Sequence, residues 1–335
     1  RLRRPRRVVS VAETIAEPQP RPRIAALDLA RGAAVVAMVV YHFAWDLSNA
    51  NLIAVDVGVD PAWRWFAHLI AGTFLAIVGI SLVLASEGGI DWPSYFRRLA
   101  LIVAGAAGVS ATTWLVFPDA FVFFGILHAI AFASVAALPF LALPAWLAAA
   151  AGALCLAAPA FLAIPAFNTP LLLWLGLYTV PPASVDFVPV FPWFGVTLLG
   201  VAAARFALAW RPATAWARPL PPGWLPQGLR LLGRWSLVIY LVHQPLLFGV
   251  VGLAARVMTP ADRLAEFREN CRRSCSSTGA GEAPCQSYCS CVSDRASEQG
   301  LVLAVLGNDF SVAEYERWQM ILTACRPAAF VTPRP

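Results

Sequence analysis

The chain has no lysine, and only 13% of its residues are charged. A soluble domain carries roughly 25%, so a water-exposed globule is excluded. All 25 basic residues are arginines. They follow the edges of apolar runs, which excludes reading the net charge of +6 as a nucleic-acid footprint. Histidine is scarce too: His42, His68, His128 and His243 all lie in the apolar portion, and the polar C-terminal stretch has none. That lack argues against zinc among the cysteines there. No internal repeat is visible. The start does not read as a cleavable signal peptide, because its arginines run into a linker with Pro18, Pro20 and Pro22 rather than an apolar core.

What the chain does have is apolar length. Hydrophobic residues make up 59%, and the mean hydropathy is +0.67. Apolar runs fall at about 33–53, 64–85, 99–117, 121–143, 145–165, 190–210 and 235–256. Each is long enough to cross a hydrocarbon core of ~30 Å. The expected fold is all-α, a polytopic transmembrane helix bundle of about seven spans. A shorter stretch at 171–180, bounded by Pro170 and Pro181-Pro182, reads as re-entrant or interfacial. Residues 1–23 read as a disordered basic arm, 24–256 as one membrane domain, and 257–335 as a Cys-rich helical tail.

Eight arginines fall in residues 1–31. Arg97 and Arg98 flank the third run, and Arg205, Arg211, Arg218, Arg230 and Arg234 lie between the last two; Arg64 is the exception in the alternate loops. The positive-inside rule then places the N-terminus and these loops in the cytoplasm. Seven spans would put the tail on the opposite, periplasm-like side. Cysteine usage agrees. Cys155 sits inside an apolar run, whereas Cys271, Cys275, Cys285, Cys289, Cys291 and Cys325 form an even set in the polar tail. Such a set fits structural disulfides in an oxidising compartment.

Cys271 and Cys275 are four apart, as are Cys285 and Cys289, so each pair shares a helix face. A helical hairpin bridged 271–289 and 275–285, with 291–325 left over, is the simplest arrangement. Sequence alone does not choose among the connectivities. Thr259-Pro260 reads as a helix start, and Ser311 with Glu314 as a capping box opening the last helix.

Ionisable groups within spans are costly and mark sites or pathways. At ~100° per residue, Asp28, Arg31, His42 and Asp46 project within about 60° of one another on the first helix. Arg31 lies roughly 16 Å below His42. Arg31 presents a planar fork suited to phosphate at the cytoplasmic mouth. His42 falls in the outer half, where His68 and His128 are expected as neighbours. On the last run, Ser236, Tyr240 and His243 share a face beside the kink-forming Pro245. Trp63 and Trp65 read as an aromatic belt, and Gly72, Gly79 and Ser81 as close helix contacts.

Several short motifs occur together. They are Leu27-Asp28-x-x-Arg31-Gly32 with Tyr41-His42-Phe43, Gly72-Thr73-Phe74-Leu75, Phe124-Gly125-Ile126-Leu127-His128, Pro192-Trp193-Phe194-Gly195 and Trp235-Ser236 through His243-Gln244-Pro245. As a set, over about residues 23–255, they resemble the bacterial DUF1624 family, which is grouped with the catalytic domain of heparan-α-glucosaminide N-acetyltransferase. The resemblance implies a polytopic acyltransferase of a bacterial inner membrane. It would take an acetyl or other short acyl group from cytoplasmic acetyl-CoA to an amine or hydroxyl of a sugar or glycan on the other side. No metal or nucleic acid is implied; membrane lipid surrounds the bundle, and nothing forbids an oligomer.

For such an acyl transfer His42 is the expected base, from its own place in the polar stripe rather than from the resemblance, oriented by Asp46. His128, or His243 with Tyr240, would stabilise the oxyanion or orient the acceptor. Arg31, paired with Asp28, would hold CoA phosphates together with Arg97 or Arg98. The same intramembrane groups would also serve a proton-coupled transporter or flippase. Haem ligation by histidine pairs and a plain anchor for the tail are the other classes.

Overall fold

The computed structural model describes residues 24–50, 52–53, 55–210, 212, 223–257, 260–277, 280–307 and 310–326. The basic arm 1–23, Arg211, Arg218 and the expected cap Thr259 lie outside the described residues. Thirteen α-helices and no strand occur among the described residues. Six of them, α1 (Ala25–Asn49), α2 (Pro61–Ser86), α3 (Trp92–Val116), α6 (Ala145–Leu162), α7 (Val190–Trp210) and α9 (Ser236–Val257), are long and apolar enough to cross a membrane.

Local chemistry starts these helices. Asp60 accepts from the amides of Ala62 (2.9 Å) and Trp63 (3.2 Å) ahead of α2, with Pro61 at the first helical position. Ahead of α3, Asp91 accepts from the amide of Ser94 (3.4 Å), with Pro93 at the second helical position.

The expected fourth span is the exception. It consists of α4 (Ile126–Ala136), 11 residues long, followed by the single turn α5 (Pro139–Ala142). Pro139 interrupts it at one end. At the other, a single 3-10 turn at Pro118–Ala120 is followed by non-helical residues 121–125, held by backbone bonds to a distant loop: Val185 N–H donates to Ala120 O (2.9 Å) and Val188 N–H to Phe124 O (3.0 Å). The stretch 171–180 forms no continuous helix. It holds a single 3-10 turn at Leu173–Leu175, and Asn168, at the end of a preceding turn Pro165–Asn168, binds Thr179 beyond it. Residues 163–189 thus cover the N-terminus of α4.

Helix contacts fix the topology. Arg31 near the start of α1 meets Ser81 near the end of α2. Tyr95 at the start of α3 donates to Ser134 O near the end of α4 (3.1 Å). Arg205 near the end of α7 donates to Phe140 O (2.9 Å) and to Leu143 O on the α4–α6 connection. His68 near the start of α2 lies against Trp193 near the start of α7. The chain therefore changes ends with each of the six long helices and with the short α4. Helices α1, α2, α4, α3 and α9 close a ring in that order. Helix α7 backs α2, and α6 backs α7.

Small residues let these backbones approach. A Cβ at Gly79 would lie 2.1 Å from Thr197 O, and one at Gly200 would lie 2.5 Å from Ala76 O. Helix α8 (Trp224–Arg234), absent from the sequence expectations, packs on α1 through Gly233 and Gly32.

In the tail, α10 (Pro260–Ser277) and α11 (Glu282–Glu298) form the expected hairpin. Disulfides join Cys271–Cys289, Cys275–Cys285 and Cys291–Cys325. The last ties α13 (Val312–Cys325) to α11, around a core of Val292, Ala296, Leu301 and Ile321; the short α12 (Val302–Gly307) adds Val305. Ser311 and Glu314 form the expected capping box.

Candidate active site

The five-helix ring encloses a cavity of about 1630 Å³. One end is lined by Arg31, Ser81, Arg98 and Arg234. Apolar side chains such as Met38, Phe74, Ile102 and Ile130 line the middle. His42, Asp186, Tyr240, His243 and Gln244 line the other end. Of the stripe expected on α1, Arg31 and His42 line the cavity, at its arginine and histidine ends; Asp28 and Asp46 are not among its lining residues.

At the arginine end, Arg31 Nη1 donates to Asp28 Oδ1 (3.0 Å) and Nη2 to Ser81 Oγ (3.3 Å). Asp28 already balances the charge of Arg31. Arg98 and Arg234 have no carboxylate partner among the described residues and face the same space. Arg97 does not line the cavity; it sits ~100° further round α3 and is exposed. Arg98, not Arg97, is the α3 residue suited to an anion. Arg234 takes the third place, carried in by α8.

At the histidine end, the rings of His42 and His243 meet edge to face with centroids 4.9 Å apart. His243 Nδ1 lies 2.7 Å from Tyr240 O and 3.2 Å from Ile239 O. Carbonyls only accept, so Nδ1 carries the proton and Nε2 presents a lone pair. His243 is 8% exposed, and Nε2 has no partner among the described residues. A buried acceptor left unpaired is costly, which marks this nitrogen as a site for a donor.

Asp46 does not orient His42. Its Oδ1 accepts from Gln244 Nε2 (2.8 Å), across the α1–α9 contact. Asp46 Oδ2 and Gln244 Oε1 are buried without partners. The i,i+4 spacing brings Asp46 near His42 along the helix, but Gln244 offers the donor.

His128 also leaves the site. Gly125 N–H donates to His128 Nδ1 (3.2 Å), and Nε2 lies 3.3 Å from Ser110 Oγ. Both ring nitrogens are engaged at the start of α4, and His128 is not among the residues lining the cavity. Its position three residues after Gly125 was the available signal for a capping role. His68 does line the cavity, its ring 5.5 Å from that of Trp193.

Asp186 was missed by sequence reading. Its Oδ2 accepts from Ile126 N–H (3.1 Å) at the first turn of α4 and from Tyr240 O–H (3.4 Å). Burial pushes its carboxyl above the ordinary carboxylate range, against the pull of these two donors. The absent side chain of Gly125 makes room for it: a Cβ there would lie 2.3 Å from Asp186 Oδ2. The signal lay in isolation, since Asp186 is the sole acidic residue between Asp119 and Asp262. Tyr240 donates its hydroxyl to Asp186, which withdraws it from the expected role of oxyanion donor.

Among the described residues no three His, Cys, Asp or Glu side chains group as metal ligands. The family model described as heparan-alpha-glucosaminide N-acetyltransferase, catalytic, matches residues 23–245. No curated protein and no solved structure matches the chain.

Proposed function

The chain belongs to the heparan-alpha-glucosaminide N-acetyltransferase catalytic family, and from that premise we propose that it moves a short acyl group through the bundle, from acetyl-CoA at the arginine end to a sugar at the histidine end. One observation carries this reading: a single cavity joins Arg31, Arg98 and Arg234 to the His42–His243 pair. Guanidinium forks suit the phosphates of CoA. The flexible pantetheine arm would reach along the apolar middle. Its thioester would then stand beside the histidines, ~16 Å from Arg31 along α1.

At that point His243 Nε2 takes the proton from an acceptor hydroxyl or amine. The freed oxygen or nitrogen attacks the thioester carbonyl, its new bond to carbon forms, and the carbon–sulfur bond breaks. The CoA thiolate leaves and receives the proton from His243. His42, edge-on to His243, supplies an N–H to the oxyanion as it develops. The pair thus exchanges the roles expected from sequence, which made His42 the base and gave the oxyanion or the acceptor to His128, or to His243 with Tyr240. By the positive-inside rule, the arginine end faces the cytoplasm of a bacterial inner membrane.

The test is transfer of labelled acetyl from acetyl-CoA to glycans by the purified protein in liposomes. His243→Ala and His42→Ala should each lower turnover by about 10²–10⁴-fold while CoA still binds. Arg98→Ala and Arg234→Ala should weaken CoA binding. Wild-type protein that transfers no label would remove the enzyme reading. A continuous cavity with buried ionisable groups equally suits a proton-coupled transporter; movement of substrate without acetyl-CoA would establish that alternative.

A further inference from the structure

The two ends of the cavity have opposite hydrogen-bonding character. The arginine end offers N–H donors. The histidine end offers acceptors: His243 Nε2 has no partner, and both recorded donors to Asp186 reach the same oxygen, Oδ2. No described group donates to Asp186 Oδ1. The carboxylate is held on one side by Ile126 N–H and Tyr240 O–H, while Asp186 itself lines the cavity. Tyr240 also links the two acceptors. Its hydroxyl holds Asp186 and its carbonyl receives His243 Nδ1–H.

We infer that Asp186 is the acceptor-binding residue: its Oδ1 receives one O–H or N–H of the incoming sugar and so turns the neighbouring nucleophile toward His243 Nε2. The inference rests on the acyltransferase reading and adds the group that selects the acceptor. A sugar carries adjacent donors at fixed spacing, so one anchored donor restricts where the next can stand. An acceptor without a second donor beside its nucleophile would bind poorly. Asp186 touches the acceptor but moves no proton.

Asp186→Asn makes a clean test. The amide carbonyl can keep both donors on Oδ2, while the NH2 group replaces Oδ1 and turns an acceptor into a donor. The cap on α4 survives, and the melting temperature should hold. Binding of glucosamine and of methyl glucoside to the full-length protein in detergent is measured by calorimetry, next to binding of acetyl-CoA. Losing a hydrogen bond to a charged group should weaken sugar binding about ten- to hundredfold, with acetyl-CoA binding unchanged. Ser184→Ala provides the control for loop order, because Ser184 ties the same loop to Phe121 O and to the backbone carbonyl of Asp186 without touching the carboxylate. It should retain sugar binding. Equal sugar binding by wild type and Asp186→Asn, no sugar binding by wild type, or an equal loss in Ser184→Ala would each overturn the assignment. Label transfer in the same samples separates the two ideas: wild type that binds both ligands yet transfers nothing refutes the acyltransferase reading alone.

Discussion

Gly233→Ala tests how the arginine end is assembled. Gly233 on α8 and Gly32 on α1 face each other. A Cβ at Gly233 would lie 1.8 Å from Asp28 O, and one at Gly32 would lie 1.8 Å from Leu229 O. Both obstacles are backbone, so no side-chain rotation relieves them. The helices must separate by more than about 1 Å, and overpacking of this kind costs about 1–3 kcal/mol. Relief should come from α8, a short helix whose Trp224 is 84% exposed, rather than from α1 inside the ring. Arg234 directly follows Gly233 and lines the cavity, so it would be carried away from the anion. Loss of one charge-assisted hydrogen bond is worth about 1.5–3 kcal/mol, or about ten- to hundredfold in CoA affinity. Calorimetry of CoA binding to wild type, Gly233→Ala, Arg234→Ala and the double variant is the assay. Gly233→Ala should approach Arg234→Ala, and the double should be little worse than either, because both remove the same contact. Wild-type CoA affinity in Gly233→Ala, alongside weak binding in Arg234→Ala, would refute the claim that this glycine contact positions the arginine.

Asp46→Ala should lower stability by about 1–3 kcal/mol by leaving the buried Gln244 amide unpaired, whereas Asp46→Asn supplies the N–H that Gln244 Oε1 lacks and should melt at or above the wild-type temperature. Equal destabilisation by both would refute this hydrogen-bond accounting. In the tail, side-chain bonds from Arg272 and Arg273 hold the Glu269 carboxyl down from 4.5 to about 2. A depressed carboxyl stabilises the fold fully above its unfolded value, and that contribution fades as pH falls from 4.5 toward about 2. Amide protection of α10, followed by hydrogen exchange, should decline over that window and flatten in Glu269→Gln; an unchanged profile in the variant would show that these ion pairs contribute nothing.

Long apolar runs announced α1, α2, α3, α6, α7 and α9 because transfer into hydrocarbon depends on composition, which sequence displays directly. The fourth run was equally apolar yet became the short α4. Its first residues are paired to Val185 and Val188, some sixty residues later, and hydropathy carries no record of such pairing. The tail hairpin was legible for a local reason, since cysteines four apart share a helix face. The shared face of Arg31 and His42 on α1 was legible in the same way. Its partners were not: the approach of His243 to His42, and the hydrogen bond from Gln244 to Asp46, both depend on α9 packing against α1.

Hydrogen-bond accounting separates groups that sequence makes look alike. His128 and His243 are both histidines in apolar runs, beside a glycine or a proline. In His128 both ring nitrogens meet partners, Gly125 N–H at the start of α4 and Ser110 Oγ on α3, so its chemistry is absorbed by the fold. In His243 the backbone engages one nitrogen and leaves the other bare and buried. Asp46 and Asp186 divide similarly. Asp46 binds Gln244 behind the cavity wall, while Asp186 presents a carboxylate to the cavity with its donors confined to one oxygen. A buried polar atom without a partner destabilises the fold, and a ligand that supplies the missing partner recovers that loss. Among the buried unpaired atoms, His243 Nε2 belongs to a residue that lines the cavity beside Asp186, and there hydrogen-bond accounting identifies a ligand's place more sharply than residue type does. It lies at the histidine end, opposite the arginines, and that separation gives the cavity its direction.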